Sequence, residues 1–178
     1  MKHLLLSFLL LSIFDTEAQD LAGRKIVNAH VSFNYISDKQ GNEFTTLSSS
    51  VLYGKIKPDL SYWSYGAVVG IYPGTDQHNV SFGPAVEHGK FIKLIDKLYL
   101  SPYFGGSLQG QFGADQGILL NAYVSPLRFM YHFKENFLLS ANFGSASFQT
   151  RALNSSTLIS LNASLENNSS FGVFYTFK

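Results

Sequence analysis

Apolar and small polar residues alternate with a period of two over most of this sequence, which limits the chain to few folds. Near the N-terminus, Val27, Val31 and Phe33 occupy odd positions, whereas the polar residues Asn28 and Ser32 lie between them. Strict alternation is typical of β-strands that have one apolar face and one polar face. No helical period of useful length occurs, so the sequence predicts an all-β protein.

The alternating stretches are separated by residues that favour turns. Residues 90–97 break the pattern, and we expect a short amphipathic turn there. The last stretch keeps its phase through 167–169, which favours one long strand; a hairpin at Asn167–Asn168, giving nine strands, is the alternative. The alternation predicts eight strands, across 27–35, 47–54, 63–71, 80–87, 98–112, 118–133, 137–148 and 157–177.

The same alternation fits a soluble barrel with an apolar interior and a membrane barrel with an apolar exterior. The composition favours the membrane barrel, because only 14% of the residues are charged and the polar faces are mostly Ser, Asn, Gly and Thr. A sheet face exposed to water usually carries many Lys and Glu side chains. Aromatic residues also crowd the strand ends, where membrane barrels have interfacial girdles. We assign to these girdles Tyr53, Tyr62, Trp63, Tyr72, Tyr99, Tyr131, Phe133, Phe137, Tyr175 and Phe177.

The chain length limits the number of strands. A spanning strand needs about 9–11 residues, and bacterial barrels have even strand numbers from about eight upward. Sixteen strands of about eleven residues would need more residues than 19–178 provide. We therefore predict an eight-stranded antiparallel up-and-down transmembrane β-barrel, with ten strands as the alternative. The interior of such a barrel is just wide enough for its own side chains, so we expect the barrel to conduct ions poorly. We also expect a monomer.

Residues 1–18 have the features of a secretory signal peptide. Lys2 and His3 give a short basic start, the apolar run 4–14 follows, and small residues stand at the expected cleavage site. The apolar run is too short to span a bilayer core of about 30 Å as a helix. The predicted organisation is a signal peptide at 1–18 and one barrel domain at 19–178.

The residues Glu17-Ala18-Gln19, the amphipathic strands and the ending at 171–177 resemble the small OmpA/OmpX-like outer-membrane β-barrel family, especially its Bacteroidetes-type members. The resemblance covers all of 19–178. It implies an outer-membrane location and contact with outer-membrane lipid. Because function on a rigid scaffold usually lies in the loops, we expect a structural or surface-binding role through extracellular loops, without catalysis. It also implies recognition of the last strand by the barrel-assembly machinery, through Phe171, Val173, Tyr175 and Phe177.

Composition and motifs argue against several other functions. The formal net charge of +1 gives no basic excess with which to bind nucleic acid. The absence of Cys removes disulfides, thiolate metal sites and cysteine nucleophiles. No phosphate-binding loop, dinucleotide motif or zinc-protease motif occurs, and the His residues share no ligand spacing. We therefore expect no catalytic residue, no cofactor and no metal.

Two alternative functions stay open. His30 and Ser32 share one strand face, as in some outer-membrane lipid A deacylases, which would make the protein a lipid-modifying enzyme. We expect instead that both residues fill the barrel interior, away from the lipid. The second alternative is a secreted soluble barrel that binds a small apolar ligand in its interior.

Glu87 and Arg128 are the charges that lie deepest within the predicted strands. An Arg that faces hydrocarbon near the bilayer midplane costs roughly 2–4 kcal/mol, so both should point inward. An unpaired charge inside a narrow interior is also costly, so the two should pair. We predict that they belong to a structural polar network with His30, Tyr103 and Gln109.

The sixth strand must change phase if Arg128 is to point inward. Leu120 and Val124 place the lipid face on even positions, whereas Phe129 and Tyr131 place it on odd positions. One extra residue changes the phase of a strand, and proline is found at such irregularities. We therefore predict a bulge or a break in pairing within 125–127.

Overall fold

The computed structural model describes residues 21–37, 43–73, 78–113, 116–153, 157–164 and 170–178. The expected signal peptide at 1–18 lies outside the described residues, as do the central residues of the expected loops at 37–43, 73–79, 113–117 and 150–156. No helix among the described residues is long and apolar enough to cross a membrane.

The described chain is all-β, as the alternation predicted. The strands are β1 (Lys25–Ser37), β2 (Glu43–Ile56), β3 (Ser61–Pro73), β4 (His78–Lys90), β5 (Ile92–Ile95), β6 (Leu98–Leu100), β7 (Tyr103–Phe112), β8 (Gly117–Ser125), β9 (Arg128–Lys134), β10 (Phe137–Asn142), β11 (Ser145–Leu153), β12 (Thr157–Ser164) and β13 (Ser170–Phe177).

All strands belong to one antiparallel sheet, in the order β12-β11-β8-β7-β4-β3-β2-β1-β13-β10-β9-β6-β5. Sequence neighbours pair in hairpins from β1 to β4, and β1 also pairs with β13 near the end of the chain. The first and last parts of the described chain are therefore neighbours in the sheet.

The described residues form 13 strands instead of the eight expected. Short interruptions divide the long predicted strands, because Pro102 and Pro126 have no backbone N–H to donate to a ladder. Gly144 interrupts the seventh predicted strand with a φ of 80°, a left-handed conformation that residues with a Cβ rarely adopt. Residues 92–95, where we expected a turn, form β5 and pair with β6.

The last predicted strand also appears as two, β12 and β13, and the residues that join them lie outside the described part of the chain. Strand β12 pairs with β11, whereas β13 pairs with β10 and β1. A hairpin at Asn167–Asn168 would require β12 to pair with β13, and no such pairing occurs among the described residues. Whether the intervening residues continue the strand stays a prediction.

Burial along the strands is inverted relative to a water-soluble protein. In β4 the apolar Val80 and Phe82 are 45% and 58% exposed, whereas the polar Ser81 and Glu87 are 0% and 4% exposed. The same inversion occurs in β3, where Tyr65 is exposed and Ser64 is buried. The sheet therefore turns its apolar face outward and its polar face inward.

One end of the sheet has short turns between neighbouring strands; we call it the turn end. It includes the turn 57–60, the turn at 96–97 and the turn at 135–136. The interior at this end is filled by the apolar plug, the buried cluster Leu21, Ile26, Ile56, Tyr62, Phe91, Tyr99, Met130, Leu138 and Phe174.

The turn at 57–60 is fixed by side-chain and backbone hydrogen bonds. The Asp59 carboxylate accepts bonds from the Ser61 hydroxyl at 2.8 Å and the Ser61 N–H at 3.1 Å. The bond from the Ser61 hydroxyl is the main cause that lowers the pKa of the Asp59 carboxyl. Leu60 adopts a φ of 64° and packs against the apolar plug, and its carbonyl accepts the N–H of Phe91 at 2.9 Å.

Candidate functional site: the polar interior

Arg128, the first residue of β9, lies at the centre of the interior and is 2% exposed. Its Nη1 donates to Glu87 Oε1 at 3.0 Å, and its Nη2 donates to the Tyr62 hydroxyl and to Ser101 Oγ, the latter at 3.2 Å. The Tyr62 hydroxyl in turn donates to Glu87 Oε1 at 2.6 Å. One carboxylate oxygen thus receives two donors, and the guanidinium is bonded to residues of two strands, β3 and β4, and of the 101–102 connection.

The strand interruption before Arg128 places it in the interior. Pairing of β8 ends at Ser125 and that of β9 begins at Arg128, so the predicted break within 125–127 is present. Leu120 and Val124 are exposed before the break, whereas Arg128 and Met130 are buried after it. The exposed positions therefore change from even to odd numbers across the break. Arg128 turns inward, where it pairs with Glu87 as predicted.

A second interruption lies beside the first and matches its change of phase. The N–H of Phe143 donates to the Leu127 carbonyl at 2.8 Å, and the Ser125 hydroxyl donates to the Gly144 carbonyl at 3.0 Å. Backbone groups freed by one interruption are thus bonded to the other. Two neighbouring strands change phase at the same level, so their inward faces stay aligned.

Aromatic rings enclose the guanidinium on its remaining sides. The Cζ atom of Arg128 lies 3.8 Å from the ring centroid of Tyr103 and 4.9 Å from that of Phe174. A desolvated guanidinium over an aromatic face is attracted by the ring quadrupole. Tyr103 is therefore close to the ion pair, in agreement with its place in the predicted network.

Gln109 belongs to a separate hydrogen-bond group. The Ser81 hydroxyl donates to Gln109 Oε1 at 2.6 Å, and Gln109 Nε2 donates to Ser107 Oγ at 2.8 Å. His30 lines the same interior, and its Nε2 is buried without a hydrogen-bond partner. Of the five predicted residues, Glu87, Tyr103 and Arg128 therefore form one cluster around the ion pair. Gln109 and His30 lie outside that cluster, so the five do not form a single hydrogen-bonded network.

All five predicted residues line one cavity of about 480 Å³. The cavity lies between the Arg128–Glu87 level and Tyr72 at the other end of β3, and its wall carries mainly hydroxyl and amide groups such as Ser48, Ser50 and Asn121. Asn28, which is 4% exposed, has a buried Oδ1 without a partner on this wall. The cavity can hold water or a small uncharged polar molecule, because its charged groups already neutralise each other.

Sequence reasoning missed Tyr62 and Ser101 as partners of Arg128. We predicted Tyr62, Tyr72 and Tyr99 in the interfacial girdles, which is wrong, because Tyr62 and Tyr99 are 0% and 4% exposed and Tyr72 lines the interior cavity. All three were assigned by nearness to a strand end. The parity of β3 carries the correct signal for Tyr62, because the neighbouring odd positions Trp63 and Tyr65 face outward.

His30 and Ser32 both line the cavity, as expected from their shared face. The Ser32 hydroxyl shares a hydrogen bond of 2.7 Å with the Ser48 hydroxyl. The hydrogen bonds of the described residues include none between Ser32 and His30, and both side chains lie away from the outer apolar face. An activated serine nucleophile needs its base within hydrogen-bond reach, and the partner observed for the Ser32 hydroxyl is Ser48.

No family model matches the chain, and no curated protein matches it. The resemblance to the OmpA/OmpX-like family therefore stays a prediction. Among solved structures the chain is similar to the crystal structure of Neisserial surface protein A, with 13% sequence identity and a TM-score of 0.49. The alignment covers 89% of this chain and 98% of that chain.

Removing one member of the buried ion pair should destabilise the fold strongly. In E87Q, Arg128 keeps its buried charge without a counter-charge, so we expect a loss of about 3–5 kcal/mol in the free energy of unfolding. The double variant E87Q/R128M removes both charges and should recover much of that loss. Urea titration of the protein refolded in lipid vesicles measures these values.

The exposed Glu135 provides the matched control, because E135Q removes the same charge at the turn end. We expect E135Q to change the free energy of unfolding by less than about 0.5 kcal/mol. A structural role for the pair is contradicted if E87Q is as stable as E135Q, or if the double variant is no more stable than E87Q.

Proposed function

We propose that this chain is an integral outer-membrane β-barrel protein without catalytic activity, whose specificity lies in its extracellular loops. The observation that carries this proposal is the inverted burial, with an ion pair inside and apolar residues outside. Val31, Val51, Phe82 and Leu108 are each more than half exposed, on different strands. Such a continuous apolar exterior is expected for a surface that faces hydrocarbon.

The pairings support an eight-walled barrel despite the larger number of strands. Strand β10 continues into β11 after two residues, β8 into β9 and β6 into β7 likewise, and β4 into β5 after one residue. If each such pair, and β12 with β13, is one interrupted wall, the pairings run through eight walls and return to β1 through its ladder with β13. Closure satisfies the backbone hydrogen bonds that a bilayer would leave unpaired. It also leaves no long edge for a second copy, which supports a monomer.

Two other proposals follow from the same arrangement. The last strand, β13, presents Val173 and Tyr175 outward, consistent with recognition by an assembly machinery that reads alternating apolar residues. The side chain of Phe171 lies outside the described residues. Outer-membrane lipid is the partner of the apolar exterior, and export by the 1–18 signal peptide is part of the same proposal.

The soluble alternative requires an apolar interior for its ligand, and the cavity wall supports it poorly. Serine, asparagine and glutamine make up half of the residues that line the cavity, and Glu87 and Arg128 also line it. The enzyme alternative has no support from the His30–Ser32 geometry. On a rigid scaffold such as a barrel, binding surfaces usually lie on the loops.

Substituting an outward valine by arginine distinguishes a membrane barrel from a soluble one. Val69 is outward near the middle of β3, so V69R should lower the free energy of unfolding in vesicles by roughly 2–4 kcal/mol. The matched control is V27R in the ladder between Tyr53 and Tyr175 near the turn end, where the cost should be about 0–1 kcal/mol. Equal small effects, in a protein that stays monomeric without detergent, would contradict the membrane proposal.

The apolar plug predicts that the barrel conducts ions poorly. Tyr62, Phe91 and Phe174 fill the interior at the turn end, directly beside the Arg128–Glu87 pair. The reconstituted protein should give no stable single-channel currents of general-porin size in planar bilayers. Reproducible large conductance from the monomeric protein would contradict this description of the interior.

A further inference from the structure

A continuous row of residues crosses the outer surface near the turn end. Its members are direct cross-strand partners, each paired with the next through the registers of β13, β1, β2, β3, β4 and β7. The row consists of Phe177, Lys25, Lys55, Trp63, His88 and Phe104. Two lysines thus lie side by side between aromatic residues, at the level where the apolar exterior ends.

The Lys25–Lys55 pair is unfavourable for the isolated protein. Like charges placed directly opposite each other on antiparallel strands destabilise the sheet. Both lysines are exposed, and neither forms an ion pair with any described residue. The ammonium of Lys25 lies 5.7 Å from the ring centroid of Phe177, which orients the lysine without neutralising it. An anion between the two ammonium groups would remove this repulsion.

The aromatic part of the row forms an apolar surface next to Lys55, in which Phe104 is edge-on to Trp63 and His88. Trp63 stacks on His88 with ring centroids 4.5 Å apart, and His88 contacts Phe104 at 5.2 Å. The imidazole Nδ1 of His88 is fixed by the Tyr62 carbonyl at 2.7 Å. Trp63 and Phe104 remain 37% and 50% exposed. Exposed aromatic rings of this kind can contact the upper part of an acyl chain while their polar edges meet the headgroup region.

The surrounding charges also favour an anion at this end. Among the described residues, three acidic groups lie at the turn end. Asp59 accepts a hydrogen bond from Ser61, and Asp96 pairs with Lys93 at 2.8 Å. Glu135 lies in the turn between β9 and β10. Basic residues at the same end outnumber them and comprise Arg24, Lys25, Lys55, Lys57, Lys90, Lys93, Lys97, Lys134 and Lys178.

The geometry points to a binding site for the phosphate of an anionic phospholipid on Lys25 and Lys55, with the lipid's acyl chain against Trp63 and Phe104. The inference rests on the proposed membrane insertion and assigns its lipid partner at the turn end. An anionic headgroup is favoured over a zwitterionic one, because a zwitterionic headgroup brings its own cation next to the two ammonium groups. Each lysine near an anionic membrane surface contributes measurably to binding.

Trp63 makes the site directly observable, because it is the single tryptophan of the chain. The full-length folded protein is placed in bilayers of ordinary phosphatidylcholine. A small fraction of one brominated lipid is added, which is either phosphatidylglycerol or phosphatidylcholine with brominated acyl chains. Bromine quenches tryptophan fluorescence only at close range, so the two titrations give the relative affinity of each lipid for the surface around Trp63. We expect brominated phosphatidylglycerol to bind at least about fivefold more strongly.

The test variant is K25Q/K55Q, and the matched control is K93Q/K134Q, which removes two charges from the same end but outside the row. The preference for phosphatidylglycerol should disappear in K25Q/K55Q and persist in K93Q/K134Q. Equal quenching of the unmodified protein by both lipids, or equal loss of preference in both variants, would overturn the inference. Loss of the preference on adding millimolar inorganic phosphate would also overturn it, because the site would then be a general anion site.

Failure of the proposed function gives a different result. A protein that does not insert shows little quenching by either brominated lipid and no heat-dependent shift of the folded band in gel electrophoresis. A protein that inserts but has no preference retains both signals at equal strength. The electrophoretic shift also establishes that each variant is folded before its lipid preference is measured.

Discussion

The buried ion pair between Arg128 and Glu87 determines how the interior of this protein is arranged. A guanidinium 2% exposed to solvent must have its counter-charge and its hydrogen-bond acceptors in place, since an unpaired buried charge is strongly unfavourable. The interruption at Pro126 directs Arg128 to this position, and the neighbouring interruption at Gly144 keeps the adjoining strand in phase. Below the pair lies the apolar plug, and above it lies the polar cavity. The strand breaks are therefore part of the arrangement that makes the ion pair possible.

The parts of the structure that depend on parity could be predicted from sequence. The outward apolar row of β4 and the inward Glu87 follow from the alternation of residues 80–87, and the phase change before Arg128 follows from comparing residues 120–124 with 129–131. The prediction for Tyr62 was wrong because it used the distance of Tyr62 from a strand end. The even position of Tyr62, next to outward-facing odd positions of β3, would have indicated an inward side chain. The described residues form 13 strands and not eight, because short interruptions divide the long predicted strands; the alternation indicated the interruption within 125–127 but not those at Pro102 and Gly144.

Features that depend on register could not be predicted. Lys25 and Lys55 are far apart in the sequence, and only the pairing of β1 with β2 shows that they are direct neighbours. The same holds for Trp63 and His88, whose stacking requires the register of β3 on β4. Likewise, the separation of Gln109 from the ion-pair cluster reflects the bonds of Gln109 to Ser81 and Ser107, which the sequence does not specify. The interior and the outward-facing row are thus properties of the assembled sheet.

The central claim is that the apolar face of the sheet contacts hydrocarbon while the polar face is enclosed. The absence of Cys permits single-cysteine spin labelling along β4 without removing native thiols. For labels at 80–87 in bilayers, relaxation by dissolved oxygen reports contact with hydrocarbon, and relaxation by a water-soluble nickel chelate reports contact with water. We predict high oxygen accessibility with low nickel accessibility at Val80, Phe82, Pro84 and Val86, and low oxygen accessibility at the positions between them. High nickel accessibility at these even positions, or no alternation, would contradict the account.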